Sequence, residues 1–322
     1  MRFNFALSKK DNIQIAYDEN TISYNLLKYG KYIKSDYVYD PSIEKINIIT
    51  VGTGKDFTTL NEAVESITDS SITNRYQINV YPGIYETVGY YDLSTKDASF
   101  VGLVLPDYVD IIGKGNKKDI IIKGYLGTDA SISGYTIVRN NVSTLNFYKN
   151  NNLKNVTVTS QNIRCSVHND DYVTYAVESA IENIENCDFT VLAAEAGVTD
   201  AALMPFGAGA WNGRIEKFKD CTFTASVTHP SFIFHNNIAS PLPNYFEFEN
   251  CKFVGKLGDT IRVISAGSTM NDSVIFKGCK IPLASIAISN DAASGYVGAN
   301  EWTIDGYGNY ADTSNVNQFI LS

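Results

Sequence analysis

The sequence predicts an all-β protein, a right-handed single-stranded parallel β-helix (a solenoid) with an N-terminal capping α-helix. The main observation is a four-residue motif that recurs at intervals of 28 to 34 residues. The copies are 186–189, 220–223, 250–253 and 278–281, and an earlier one, 155–158, has Val where the others have Cys. A repeat of this length indicates that one supersecondary unit stacks on the next.

The pattern inside each copy predicts which side chains face the core. The second and fourth residues are apolar and the third is polar, which is the alternation of a half-buried strand. The first residue is Asn, Asp or Gly, and these types tolerate a left-handed backbone at a sharp turn. We therefore expect one coil per repeat, with Cys and Phe pointing inward and the turn Asn side chains stacked as a ladder.

Four of the five cysteines occupy the same inward position of the motif: Cys187, Cys221, Cys251 and Cys279. A free Cys behaves as a small buried hydrophobe. The odd number of cysteines and the absence of a C-x-x-C pattern argue against a zinc or redox site. The position favours a reduced ladder. A disulfide between neighbouring coils is the alternative, since coils lie about 4.8 Å apart.

Composition narrows the partners and the location. The chain has 322 residues, 19% of them charged, and a net charge of −9. It has no Lys/Arg run, which argues against nucleic acid as a partner. It has no run of 18 apolar residues, so no membrane span is predicted. The first ten residues lack the apolar core of a signal peptide. We therefore expect synthesis in a host cytoplasm, with phage lysis as one route of release.

Two domains are predicted. Residues 1–45 contain six tyrosines and no copy of the repeat. They form either an attachment piece or an arm that wraps the first coils, and the sequence does not decide between the two. Residues 46–322 form the β-helix. Its last stretch, 291–322, is polar and turn-rich, and we interpret it as a C-terminal cover.

Residues 46–123 carry a resemblance to a known family. Thr59 and Glu62 fit a capping box, and the apolar face of a short helix follows. A Gly-Lys-Asp-Phe turn, 54–57, precedes the helix, and a Pro-Gly-Ile-Tyr-Glu strand, 82–86, follows it. This order resembles the N-terminal part of pectin methylesterases and of the wider pectin-lyase-like β-helix proteins. The resemblance implies that the helix caps the first coil, and that later coils are generic.

The family's esterase activity is not implied. Pectin methylesterases use a Gln-Asp-Thr-Leu segment, an Asp-Phe-Ile-Phe-Gly segment and an Arg followed by Pro-Trp. None of these occurs in this sequence. The segment 231–235, Ser-Phe-Ile-Phe-His, is similar to the second only in its aromatic residues and lacks the Asp.

A candidate site comes from a second set of repeating positions. Segments 164–168, 202–207, 231–235 and 261–265 are predicted to stack as one sheet. This arrangement places His168 and His235 at matching positions along one edge, on either side of a coil that carries only small residues. We expect a groove for a sugar ring there. Its predicted ligand-binding residues are His168, Gly207, Gly209, Trp211, His235 and Asn236.

The same edge is the candidate catalytic site. Asp170 and Asp171 follow His168, and a His–carboxylate pair can act as a general base. Polar residues also cluster at solenoid turns for structural reasons, which is the competing interpretation. Two histidines at this separation do not complete a zinc tetrahedron, so neither a metal nor another cofactor is predicted.

Other polar residues are expected to be structural. Glu178, Glu182 and Glu185 follow a helical or loop spacing that suits a solvated face. His229, next to Pro230, is expected to be a loop residue.

Three functions remain open. The first is a phage tail spike, fibre or appendage protein, because such proteins often use pectin-lyase-like helices without a signal peptide. Its expected location is the virion tail. Its expected partners are host cell-surface polysaccharide, other virion tail proteins and two further copies in a homotrimer. The second is a carbohydrate-active enzyme, an esterase, lyase or glycoside hydrolase. The third is a purely structural virion rod.

Overall fold

The computed structural model shows a chain made almost entirely of β-strands. It describes residues 13–18, 21–28, 31–35, 45–88, 101–125, 136–137, 143–147, 150–161, 165–169, 181–192, 199–200, 204–209, 214–235, 244–256, 259–264, 272–281, 286–289, 302–307 and 310–311. Among these residues, no helix has the length and apolar character needed to cross a membrane.

The chain divides into two compact units, Met1–Ile46 and Asn47–Ser322. The first unit contains a three-stranded antiparallel sheet, and its strands pair in chain order. They are β1 (Ile13–Asp18), β2 (Thr21–Lys28) and β3 (Lys31–Ser35).

The second unit is built from three parallel sheets. The nine-stranded sheet contains β4 (Lys45–Val51), β5 (Asn74–Val80), β8 (Val109–Gly113), β12 (Asn152–Lys154), β15 (Ile181–Glu185), β19 (Ile215–Lys219), β22 (Tyr245–Glu249), β25 (Asp272–Lys277) and β28 (Trp302–Tyr307). The eight-stranded sheet contains β6 (Gly83–Val88), β9 (Ile120–Tyr125), β13 (Thr157–Gln161), β16 (Asp188–Val191), β20 (Thr222–Thr224), β23 (Lys252–Val254), β26 (Lys280–Ile281) and β29 (Tyr310–Ala311). The seven-stranded sheet contains β7 (Val101–Val104), β11 (Ser143–Asn146), β14 (Cys165–Asn169), β18 (Met204–Gly209), β21 (Phe232–His235), β24 (Ile261–Ile264) and β27 (Ile286–Ser289).

From β5 to β27, each coil contributes one strand to each sheet in the same order. The strands β15, β16 and β18 belong to one coil, and β19, β20 and β21 belong to the next. Each strand pairs in parallel with the equivalent strand one coil away. The predicted parallel β-helix is therefore confirmed. A short parallel pair, β10 (Thr136–Ile137) with β17 (Thr199–Asp200), joins two connections that run from the eight-stranded to the seven-stranded sheet within their coils.

The predicted turn geometry is confirmed at every copy of the motif. The turn residues have φ between 50° and 61°: they are Asn155, Asn186, Asp220, Asn250 and Gly278. The amide Nδ2 of Asn186 donates to Oδ1 of Asn155 at 2.7 Å, which is one step of the predicted ladder. These turns fix the phase of the flanking strands, so residues two and four positions before each turn face inward.

The interior holds the Cys and Phe side chains of the motif. Cys187, Cys221, Cys251 and Cys279 are buried free thiols, and the backbone nitrogen of Lys252 donates to the carbonyl of Cys221 at 2.8 Å. Burial raises the pKa of the Cys187 and Cys251 thiols well above their ordinary value, because removal from water disfavours the thiolate. The reduced ladder that the motif predicts is therefore present in the core.

The predicted helix is present as α1 (Leu60–Glu65). The hydroxyl of Thr59 accepts from the backbone nitrogen of Glu62 at 3.2 Å, and the Glu62 carboxylate accepts from the backbone nitrogen of Thr59 at 3.3 Å. This is the capping box that the sequence predicts. Leu60, Ala63 and Val64 are buried in the core. The role of α1 as a cap over the first coil stays a prediction.

The C-terminal region contributes two strands to the β-helix. The strand β28 pairs in parallel with β25, and β29 pairs with β26. One more coil is thereby added to two of the sheets. A cover formed by the end of the chain stays a prediction, because residues 290–301 and 312–322 lie outside the described part.

Candidate functional site

The sheet that was expected to carry the site forms as predicted, but its register differs. The strands β14, β18, β21 and β24 are neighbours in the seven-stranded sheet. His168 is in register with Gly207, and Gly207 with Ile233. His235 is in register with Gly209, two residues further along the strands. The expectation that the two histidines occupy matching positions is therefore wrong by two residues.

His168 packs closely against the neighbouring strand. It is 3% exposed, and its backbone nitrogen donates to Oδ1 of Asn146 at 3.3 Å. A Cβ atom placed on Gly207 would lie 2.6 Å from Cδ2 of the imidazole. Gly207 therefore makes room for the His168 ring, and the space beside this glycine is filled by that ring.

The strands end two residues further along, and their ends form one edge of the sheet. Gly209 and His235 are the last residues of β18 and β21, and they are register partners. Adjacent strands lie about 4.8 Å apart, so a position without a side chain neighbours a histidine there. The other predicted site residues, Asp170, Asp171, Trp211 and Asn236, lie outside the described residues.

A buried ionic cluster lies at the same corner of the β-helix, and the sequence did not predict it. Glu182 in β15 and Glu216 in β19 are register partners, and both side chains are fully buried. Nε of Arg214, itself 3% exposed, lies 2.8 Å from Oε2 of Glu182 and 3.1 Å from Oε1 of Glu216. One guanidinium thus faces two carboxyl groups inside the coil stack.

The cluster holds the ends of several strands. Nη1 of Arg214 donates to the carbonyl of Asn169 at 2.9 Å, and Nη2 donates to that of Phe147 at 3.2 Å. Nδ2 of Asn169 donates to Oε1 of Glu216 at 3.0 Å. Oδ1 of Asn244 accepts from the backbone nitrogen of Arg214 at 2.9 Å. The contacts join the ends of β11 and β14 to the beginnings of β15, β19 and β22.

Burial dominates the electrostatics of this cluster. It raises the pKa of Glu182 to about 8, because the charged form loses its hydration; Arg214 opposes the rise and Glu216 adds to it. Burial also raises the pKa of Glu216, again against Arg214. Two buried acids thus face a single guanidinium, and burial favours the uncharged form of each acid.

The expectation that Glu182 lies on a solvated face is wrong. It stands four residues before the turn at Asn186, which is an inward position, and Glu216 stands four residues before the turn at Asp220. Counting back from the turns was the signal that could have found both. Glu185 does lie outward, where its carboxylate pairs with Nζ of Lys154 at 2.8 Å.

Outward positions of the nine-stranded sheet form a row of alternating charge. The row runs through register partners in successive coils, and its members are Lys154, Glu185, Lys219, Glu249 and Lys277. The ammonium group of Lys219 lies 2.8 Å from Oε1 of Glu249. Charges in this row neutralise one another, which suits a solvated face of a rod.

Two further predictions concern single residues or metals. His229 lies on a turn, where its Nδ1 is 2.9 Å from Oγ of Ser226 and 2.8 Å from Oγ1 of Thr228; this agrees with its interpretation as a loop residue. Within the described ranges, no group of three or more His, Cys, Asp or Glu side chains is placed to hold a metal ion.

The chain matches no protein-family model. It also matches no curated protein at significant similarity. Among solved structures it is similar to a pectin methylesterase from Erwinia chrysanthemi, with 11% identity and a TM-score of 0.46 over 86% of this chain and 93% of that one. A pectin methylesterase from Aspergillus niger has 15% identity and a TM-score of 0.40 over 86% and 91%. The ORF18 protein of Geobacillus virus E2 has 12% identity and a TM-score of 0.35 over 91% and 68%.

Proposed function

We propose that this chain is a β-helical appendage protein of a phage virion that binds a host cell-surface glycan. The binding site is the edge where β14, β18 and β21 end. The observation that carries the proposal is the register pair of Gly209 and His235 at the last position of two adjacent strands. A glycine beside a histidine leaves space for a sugar ring next to a hydrogen-bonding group.

The chain segments that leave this edge supply further groups of the right chemistry. Trp211 follows Gly209 by two residues, and Asn236 follows His235 directly. An indole ring packs on the apolar face of a sugar, and an amide both donates to and accepts from hydroxyl groups. Trp211 and Asn236 therefore belong to the proposed ligand site, and the buried imidazole of His168 forms one side of that site.

The virion part of the proposal rests on the two units of the chain. The unit Met1–Ile46 has its own antiparallel sheet, which suits an attachment piece for other tail proteins. The net charge of −9 suits a polysaccharide better than a nucleic acid as partner. We propose a homotrimer as the assembled form.

Binding of purified host surface polysaccharide by the full chain tests the site. His235→Ala should weaken binding about tenfold, as expected for one lost hydrogen bond to a sugar. Gly209→Leu should abolish binding, because an isobutyl group then occupies the proposed sugar position. The matched control is His229→Ala, which removes an imidazole from a turn elsewhere and should leave the affinity unchanged. Full affinity in both edge variants would contradict the proposal.

The second candidate is the purely structural virion rod. The row of alternating charge along the nine-stranded sheet favours it, because the charges on that face pair with one another and need no ligand. The same experiment separates the two functions, since a structural rod binds no polysaccharide. Release of cleaved product from the polysaccharide, lost in Asp170→Asn, would instead support the enzyme that uses His168, Asp170 and Asp171.

A further inference from the structure

We infer that Glu182 and Glu216 share one proton inside the β-helix, and that with Arg214 they form a positioning network for the binding edge. The shared proton rests on the geometry and the charges of the cluster. The positioning role rests on the proposed function, because the edge is the one assigned to the glycan.

The first step concerns two carboxyl oxygens. Oε2 of Glu182 and Oε1 of Glu216 both face Nε of Arg214. The remaining oxygen of each acid, Oε1 of Glu182 and Oε2 of Glu216, is buried and has no donor among the described residues. An unsatisfied buried carboxyl oxygen is costly. The two acids are register neighbours on adjacent strands, so one proton between these two oxygens satisfies both.

The second step is a count of charge. Glu216 and Arg214 lie beside Glu182 in the next coil, and the negative charge of Asp107, on the turn before β8, also raises the pKa of Glu182. Two ionised glutamates and one guanidinium would leave an unbalanced negative charge in the interior, and a buried unpaired charge is strongly disfavoured. Nε of Arg214 lies within 3.1 Å of both acids, and Glu216 also accepts from Nδ2 of Asn169 at 3.0 Å. The additional donor favours the ionised form of Glu216, so Glu182 is the acid that holds the proton.

The third step connects the proton to the edge. The guanidinium that binds the two acids also binds the carbonyl groups of Phe147 and Asn169. Asn169 is the last residue of β14, the strand that runs beside β18 at the proposed site. When the shared proton is lost, a second negative charge lies against Arg214. The hydrogen bonds from Arg214 to the carbonyl groups of Phe147 and Asn169, which hold the end of β14, then weaken. Glu182 is thus a positioning residue that does not touch the ligand.

The test uses the full chain, its Glu182→Gln variant and a matched control. A Gln amide donates to Glu216 as the acid does but does not titrate. Glu185→Gln is the control, because Glu185 lies on the same strand and faces outward. The infrared C=O stretch of a protonated carboxylic acid should be present at pH 7 in the wild type and in Glu185→Gln. It should be absent in Glu182→Gln.

Thermal unfolding and polysaccharide binding supply the other readouts. The unfolding midpoint of the wild type should fall by about 5 °C or more between pH 6 and pH 9, and that of Glu182→Gln should stay level. The affinity of the wild type for the polysaccharide should fall over the same range, and that of the variant should not.

Each result decides one part of the inference. A missing acid band at pH 7 in the wild type overturns the shared proton, and so does an equal pH response of wild type and Glu182→Gln. If the variant does not fold, the wild type alone decides: a band that is lost as the pH rises past about 8 supports the proton, and a band that is already lost above about pH 5 overturns it. Absence of polysaccharide binding in every protein overturns the proposed function and the positioning role, while the infrared band still decides the proton.

Discussion

Two neighbouring rows inside the same coils are filled by opposite kinds of side chain. Two residues before each turn, Phe218, Phe248 and Phe276 stack ring on ring, with centroids 4.6 and 5.1 Å apart. Four residues before the turns, Glu182 and Glu216 occupy equivalent inward positions on β15 and β19. The backbone conformation is the same for the two rows, because both lie at inward positions at a fixed number of residues before the same turns.

The difference between the rows lies in what each requires of its neighbours. Any apolar contact that removes a phenyl ring from water is favourable, so each ring that is added to the aromatic row stabilises the fold in the same way. A buried carboxyl group needs a proton or a cation together with hydrogen bonds. The acid row therefore spans two coils, where Arg214 and Asn169 reach it, and the row continues with Phe246 in the next coil. The aromatic row should respond to lost volume and the acid row to charge and pH.

The largest effect is expected in the aromatic row. Phe218→Ala removes a ring that is stacked on Phe248 and packed edge-on against Phe206. The free energy of unfolding should fall by about 3–5 kcal/mol, equally at all pH values at which the protein is folded. Urea denaturation measures it. Lys217→Ala, an exposed position on the same strand, should change the stability by less than about 0.5 kcal/mol.

Removal of the cation should affect the acid row to a similar extent, but only where the acids ionise. Arg214→Ala leaves two buried carboxyl groups without a cation. The free energy of unfolding should fall by about 3–5 kcal/mol at pH 8, and by less at pH 5, where both acids can hold protons. Urea denaturation at the two pH values measures the difference. A loss that is equal at both would show that Arg214 acts by packing alone.

The wild type should become less stable as the pH rises from about 4.5 to 8. The pKa of Glu182 is about 8 in the folded chain against an ordinary Glu value of 4.5, so the folded state binds this proton more tightly than the unfolded state does. The contribution is complete below the lower value and is lost as the pH rises through the upper one. Its slope is at most about 1.4 kcal/mol per pH unit. Denaturation profiles across this range, with Glu182→Gln for comparison, measure the slope.

The sequence predicted the coil and its turns because one physical rule repeats. A left-handed turn residue followed by Cys, a polar residue and Phe sets the phase of each coil, so the inward cysteines and the φ values at Asn155 and Asn186 followed directly. The stack of β14, β18 and β21 followed from the same repetition. Local pattern is sufficient where each coil makes the same contacts as the last.

The candidate site was harder to predict because it depends on register and on contacts between coils. His168 lies 13 residues after its turn and His235 lies 15 residues after its own, and matching the whole segments 164–168 and 231–235 to each other passed over this two-residue difference. The acid cluster was missed for another reason. Glu182 looks like a solvated residue until its position is counted from Asn186, and Arg214 reaches it from a different coil.

A polar atom introduced on the apolar side of the interior should have an intermediate effect. Cys221 is buried, and its Sγ is 3.3 Å from the carbonyl of Lys219. Cys221→Ser should lower the free energy of unfolding by about 1–3 kcal/mol, the cost of burying an imperfectly bonded hydroxyl. In the wild type the thiol should react with a soluble disulfide reagent only on unfolding. Rapid labelling of Cys221 in the native protein would contradict the thiol ladder.

The smallest effect concerns the turn that sets the phase of both rows. Asn186 has φ of 50°, and its amide donates to Asn155. Asn186→Gly keeps the left-handed backbone and loses the hydrogen bond, so the free energy of unfolding should fall by about 0.5–1.5 kcal/mol. Asn186→Ala loses the same bond and adds the strain of a left-handed Ala, about 1–2 kcal/mol more. Urea denaturation of the pair separates the two contributions. Equal losses in the two variants would mean that the amide ladder alone matters at this turn, and that the phase of Glu182 and Ile184 is fixed by the strands rather than by the backbone of the turn.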